Sequence, residues 1–122
     1  MKSFRRFYKR ENMISKTLNI DEDFYCELEK LSDTVYDASI SKLVNAAIEG
    51  LLNTEKVEIY KRENTNQVTR SFLLRESFLN GLYELKRKYM LSLNLLVNIA
   101  IRNAILEEKM EKEEPNKENK II

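Results

Sequence analysis

Histidine is absent from this 122-residue chain, cysteine and proline occur once each, and glycine occurs twice. The lone Cys26 cannot form a disulfide within the chain. Without histidine or a cysteine cluster, a zinc site has no natural ligands. There is no glycine-rich phosphate loop and no pair of carboxylates spaced for acid–base work. The "DED" at 21–23 is explained more simply by helix capping than by a metal. An enzyme is therefore not expected, nor a cofactor or a metal. No apolar run approaches the roughly 18 residues of a membrane span. The N-terminal "MKSFRRFYKRENM" is basic but lacks the apolar stretch of a signal peptide. These absences imply a soluble, cytoplasmic protein with no membrane partner. The length suits one domain or two very small ones. A domain of about 50 residues has a thin core, so intertwining or self-association is the expected source of stability.

What is present is an uneven charge. The net charge of +1 conceals +5 over residues 1–20, −7 over 21–55, +5 over 56–106 and −2 over 107–122. A small total therefore does not exclude a polyanionic partner, because the location of the positive charge matters more than its sum.

The chain also repeats itself. "YKREN" stands at 8–12 and again at 60–64. At an offset of 54, "ISKTLNI" lies over "VTRSFLL", so that Leu18 meets Phe72, Ile20 meets Leu74, Phe24 meets Phe78, Leu28 meets Leu82 and Leu31 meets Leu85. At an offset of 53, "SISKLVNAAI" (39–48) lies over "SLNLLVNIAI" (92–101), with six of ten positions identical. A repeat of this extent implies an internal duplication.

Each copy predicts an arm, a strand and two helices. "SKTLNI" alternates polar Ser15, Thr17 and Asn19 with apolar Leu18 and Ile20, the pattern of a half-buried strand. Asp21 offers an N-cap, followed by Glu22 and Asp23 in a first helical turn. Phe24, Leu28, Leu31 and Val35 then recur at helical spacing. Tyr36, Asp37 and Ala38 break the pattern, and Ser39 offers a second N-cap. Ile40, Leu43, Val44, Ala47, Ile48 and Leu51 form a broader stripe, suited to a more buried helix. The second copy repeats this with Phe78, Leu82 and Leu85, then Leu93, Leu96, Val97, Ala100, Ile101 and Ala104. It departs at Arg75, where the capping Asp is replaced. It departs again at Gly81, inside a helix, where glycine costs about 1 kcal/mol relative to alanine. Gly81 marks either a close packing or an unconstrained surface position. Five segments follow: a basic arm over 1–13, unit one over 14–52, a linker with the second basic arm over 53–67, unit two over 68–106, and a charged tail over 107–122. No glycine or proline stops the preceding helix from running through Lys61. The tail, with Pro115, is expected to be a fraying helix end followed by disorder.

A strand and two helices in roughly 40 residues, present twice in register, resemble the ribbon-helix-helix family, which includes the Arc-type phage repressors, the methionine repressor and plasmid copy-number repressors. The resemblance covers residues 14–52 and 68–105. It implies a mainly α fold with a short two-stranded antiparallel β-ribbon that enters the DNA major groove. Because both units lie in one polypeptide, it further implies an intertwined pseudo-dimer within one chain, as in TraY-type relaxosome proteins. A linker of about 15 residues spans up to roughly 50 Å, enough to bring the second strand beside the first.

Alternation and the family register put Ser15, Thr17, Asn19, Thr69, Ser71 and Leu73 on the base-facing side. The polar members can hydrogen-bond base edges, Asn19 can pair bidentately with adenine, and Leu73 can touch a thymine methyl. The plainer alternative is a solvated strand face. The starts of the second helices, Ser39, Ile40 and Ser41, and Ser92, Leu93 and Asn94, are expected to clamp phosphates through backbone N–H groups. Lys9, Arg10, Lys61 and Arg62 on the arms are further phosphate contacts. Lys16 and Arg70, nominally inward, are expected to snorkel outward toward phosphate or water. The function implied is sequence-specific double-stranded DNA binding, foremost as a transcriptional repressor on the nucleoid. The same fold also serves as a plasmid or mobile-element accessory in relaxosomes or partition, and as an antitoxin-like interaction protein. In those roles, acidic unit one or the tail would dock a protein partner, and chains would self-associate on adjacent sites.

Overall fold

The computed structural model describes residues 11–33, 39–62 and 65–121, with side chains described up to residue 111. The elements run β1 (Met13–Asp21), α1 (Glu22–Leu31), α2 (Ile40–Thr54), β2 (Gln67–Arg75), α3 (Glu76–Tyr89) and α4 (Leu93–Ile121). The protein is thus mainly helical with one two-stranded antiparallel sheet. No single helix among the described residues is long and apolar enough to cross a membrane.

The two strands pair along their full length, Met13 opposite Arg75 through Asp21 opposite Gln67. Thr17 lies opposite Ser71, its own counterpart at the 54-residue offset. Side chains alternate as the sequence predicts. Leu18, Ile20, Phe72 and Leu74 are buried on one face, while Ser15, Thr17, Asn19, Thr69, Ser71 and Leu73 are exposed on the other. The inward residues meet the stripes of α2 (Val44, Ala47, Ile48, Leu51) and α4 (Leu96, Val97, Ala100, Ile101) in a single apolar cluster. Each buried leucine or isoleucine stabilises by about 1.5–3 kcal/mol relative to exposure.

The outer helices differ. In α1 only Leu28 is buried, whereas α3 buries Leu79, Leu82 and Leu85. Gly81 settles its ambiguity here. A Cβ at that position would stand 2.8 Å from Leu52 Cδ2 and 2.9 Å from Cδ1. Its small size therefore lets α3 close onto the end of α2. Residues 34–38, which hold the expected break and Val35, lie outside the described residues.

Two local expectations need correction. Asp21 occupies the N-cap position of α1 but its side chain makes no capping hydrogen bond. Tertiary partners from residues 60–67 draw the carboxylate away. The linker does not continue α2 through Lys61. The helix stops at Thr54, with Glu55 in the left-handed region (φ 49°) and its N–H on Leu51 O. Thr54 Oγ1 closes the end by bonding Gly50 O at 3.0 Å and receiving Lys56 N–H at 3.3 Å. Asn103 Nδ2, on α4, then holds Lys56 O at 3.0 Å, redirecting the chain. Past the start of the tail, the backbone of α4 is helical to Ile121. Glutamate, lysine and methionine are good helix formers. Pro115 removes one backbone donor without ending the helix.

Candidate nucleic-acid interface

A two-stranded ribbon has two unpaired edges, each a row of backbone donors and acceptors that must be satisfied or solvated. The second helices of both copies close them. Asn98, on α4, sends Nδ2 to Asn19 O at 2.9 Å and receives Asp21 N–H on Oδ1 at 2.8 Å. Asn45, on α2, does the same for β2, with Nδ2 to Leu73 O at 2.8 Å and Arg75 N–H on Oδ1 at 3.0 Å. Each side chain also bonds back to its own helix, Asn98 to Asn94 O and Asn45 to Ser41 O, both at 2.8 Å. One turn earlier, Asn94 Oδ1 accepts Asn19 N–H at 3.0 Å and Ser41 Oγ accepts Leu73 N–H at 3.4 Å. Side chains thus stand in for a missing third strand on both sides.

These clips bring the starts of α2 and α4 against the two edges of the ribbon. Ser39 Oγ caps α2 by accepting Lys42 N–H at 3.2 Å, and Ser92 Oγ caps α4 by accepting Leu95 N–H at 3.1 Å. The remaining first-turn amides, at Ile40, Ser41, Leu93 and Asn94, belong to the positions that have no acceptor within an α-helix. Of the expected phosphate clamps, Ser41 and Asn94 spend their side chains on the ribbon, which leaves only their backbone N–H groups for an anion.

On the exposed face the residues pair across the strands: Ser15 opposite Leu73, Thr17 opposite Ser71, Asn19 opposite Thr69. Thr17 Oγ1 and Ser71 Oγ share a hydrogen bond of 2.8 Å, and Thr69 Oγ1 donates to Asn19 Oδ1 at 2.7 Å. Leu73 is 52% exposed among these polar neighbours. The face is a fixed array of hydroxyls and one carboxamide, with a single apolar end.

The basic candidates separate into groups. Lys9 and Arg10 lie outside the described residues. Lys61 is exposed. Arg62 is committed, its Nε standing 3.2 Å from Asp21 Oδ1, so the phosphate role expected of it meets a competing internal partner. Lys16 does not swing out to solvent. It is half-buried and donates to Tyr83 Oη at 3.2 Å. Arg70 is exposed and lies over the Tyr25 ring at 5.1 Å. Stacking on the aromatic faces of α1 and α3 competes with snorkelling for both cations.

Each arm docks on the opposite copy. Asn66 O accepts Glu22 N–H and Asn12 O accepts Glu76 N–H, both at 3.0 Å, so each described arm end meets the first helix of the other copy. At the β1 end, the carboxylate of Asp21, only 4% exposed, receives Tyr60 Oη at 2.5 Å and Gln67 Nε2 at 2.9 Å in addition to Arg62. Tyr60 packs on Phe24 with ring centroids 5.4 Å apart. Burial, reinforced by the bond to Asp21, pushes the Tyr60 phenol up to about 12. At the β2 end, Glu11 accepts Ser77 N–H and lies 3.9 Å from Arg75, whose guanidinium sits over Phe78 at 5.6 Å. The hydrogen bonds of Ser77, more than the charge of Arg75, hold the Glu11 carboxyl below its usual range.

Asn45, Asn98 and Glu11 organise the ribbon although no strand or helix pattern singled them out. The signal for the asparagines lay in the "VN" shared by both copies, a polar residue inside an apolar stripe. Among the described residues no group of three His, Cys, Asp or Glu side chains could hold a metal ion. Compared with family models, with curated proteins and with solved structures, the chain matches none of them.

Proposed function

We propose that the chain is a single-chain ribbon-helix-helix protein in which the two copies act as an intertwined pseudo-dimer. The β1–β2 ribbon enters the major groove of double-stranded DNA and reads a specific sequence. Repression of transcription by occupying an operator is the foremost role. The observation that carries this reading is the free face of the ribbon. In the three central pairs of that face, six side chains, five of them polar, stand exposed on a two-stranded sheet whose other face packs on the core. A two-stranded β-ribbon fits the major groove, and hydroxyls and carboxamides match its base edges. The helix starts at both ribbon edges add anion-binding amides where the phosphate backbones would flank the groove. Matched contacts of Asn45 and Asn98, and the pairing of Thr17 with its counterpart Ser71, support the pseudo-dimer.

Selection of bound duplexes from random DNA tests the proposal. The full chain is expected to enrich a short consensus within one footprint. Affinity should fall steeply with salt, because neutralised phosphates release counterions. Replacing Thr17 and Ser71 together with Ala should flatten the consensus at its centre while leaving salt dependence in place, since neither carries charge. An unenriched pool would refute sequence-specific reading.

A further inference from the structure

The exposed face of the ribbon is chemically polarised, and its register fixes the direction. At one end Asn19 stands opposite Thr69, and Thr69 donates to Asn19 Oδ1 at 2.7 Å. Among the described residues Asn19 Nδ2 has no protein partner, so this end presents hydrogen-bond donors. At the centre Thr17 and Ser71 are bonded to each other. Toward the far end Ser15 stands opposite Leu73, and this leucine is half exposed; beyond it the exposed Met13 stands opposite Arg75.

A single exposed leucine is ordinary on a protein surface. This one is held more firmly than that. Its N–H is bonded to Ser41 Oγ at 3.4 Å and its carbonyl to Asn45 Nδ2 at 2.8 Å, so the backbone that carries the isobutyl group is pinned on both sides. The surface a ribbon meets in the major groove has one apolar feature, the C5-methyl of thymine, which 5-methylcytosine shares. Four residues along a strand cover about 13 Å at roughly 3.3 Å each. At about 3.4 Å per base pair, that is about four base pairs.

Resting on the DNA-binding reading above, we infer that Leu73 reads the C5-methyl group of a pyrimidine, about four base pairs from the base contacted by Asn19, so that one ribbon selects an asymmetric, methyl-dependent site. The contact buries one methyl against a positioned apolar side chain. The expected discrimination is about fourfold in Kd, the share of one buried carbon.

The test uses the full chain and the duplex recovered by selection. Each thymine is replaced in turn by deoxyuridine, which removes only the methyl, and Kd is read by fluorescence anisotropy. Wild type is expected to weaken about fourfold at one position. Leu73→Ala should bind the thymine and uracil duplexes equally there. Asn19→Ala should bind more weakly overall yet keep the sensitivity. Restoring the methyl by placing a 5-methylcytosine pair at that position should recover part of the binding to wild type but none to Leu73→Ala. Leu73 is exposed, so its truncation leaves the core intact, and circular dichroism verifies this. Tight binding with no methyl-sensitive position, or sensitivity that persists in Leu73→Ala, overturns this inference and spares the DNA-binding reading. Failure of wild type to bind any duplex overturns both.

Discussion

The two ends of the ribbon are built from the same arm sequence and are held in opposite ways. At the β1 end an acid, Asp21, lies buried beneath Arg62, Tyr60 and Gln67. At the β2 end a base, Arg75, is exposed and meets Glu11. "YKREN" carries a cation and an anion side by side. Among the described residues, the second arm presents its arginine, Arg62, and the first presents its glutamate, Glu11. The same pentapeptide thus meets an acid at one end and a base at the other, and in the second copy it stands two residues further from its strand. The two ends differ in energetics as well. A desolvated carboxylate with three donors depends on all of them, whereas an exposed pair is weakened by water and salt.

The largest effect is expected where the two halves agree most closely. Asn98→Ala leaves Asp21 N–H and Asn19 O without partners, and Asn98 is fully buried. Stranding a buried donor or acceptor costs about 1–3 kcal/mol each. The variant should therefore lose on the order of 2–4 kcal/mol in urea unfolding. Asn45→Ala removes the matching bonds from Arg75 N–H and Leu73 O, but its site is 8% exposed, against 0% for Asn98. It should lose less. Equal losses would mean that solvent access does not distinguish the two edges.

How far these features were legible depends on how local their causes are. The strand face and the helix stripes follow from periods of 2 and 3.6, and the structure places Leu18, Ile20, Phe72 and Leu74 inside as alternation requires. Duplication reinforced each pattern. The caps at Ser39 and Ser92 are likewise local chemistry. Asp21 shows where local grammar stops. Its position invites capping, but a tyrosine, an arginine and a glutamine about 40 residues away capture the carboxylate. The end of α2 was equally hidden, since it turns on Thr54 bonding to its own helix and on Asn103 gripping Lys56 O from α4. The candidate base-facing residues were placed by alternation together with the family resemblance. The cross-strand bonds that orient them required the register.

Exchanging the charged residues sharpens the contrast between the ends. Asp21→Ala leaves Tyr60 Oη, Gln67 and Arg62 without their shared acceptor beneath the arm. A loss of about 2 kcal/mol is expected, in line with disruption of a buried hydrogen-bonded group. Arg75→Ala removes a single long contact to Glu11 at 3.9 Å and a stack on Phe78. A change below about 1 kcal/mol is expected for an exposed pair. Thermal unfolding of both variants at low and high salt measures the difference. A larger loss for Arg75→Ala would show that the exposed end is the stronger of the two.

The smallest effect is confined to alkaline solution and singles out the Asp21 end. The Tyr60 phenol is raised from 10.0 to about 12 in the folded protein. Below pH 10 the phenol is protonated whether the chain is folded or not, so its contribution to stability is complete. Between 10 and 12 the unfolded chain releases the proton while the folded one retains it. Stability must therefore fall as pH rises through this window. Tyr60 is only partly buried, so solvent reduces the size of the drop. Tyr60→Phe keeps the ring against Phe24 but has no proton to lose. At pH 8 the variant should be less stable than wild type by the missing bond to Asp21, about 1 kcal/mol. Toward pH 12 the gap should narrow, because only wild type loses the contribution of this phenol. Urea midpoints measured at intervals from pH 8 to 12 follow the two curves. Parallel curves would show that the second arm does not hold Tyr60 protonated over Asp21, and the charge-reversed symmetry of the two ends would lose its buried member.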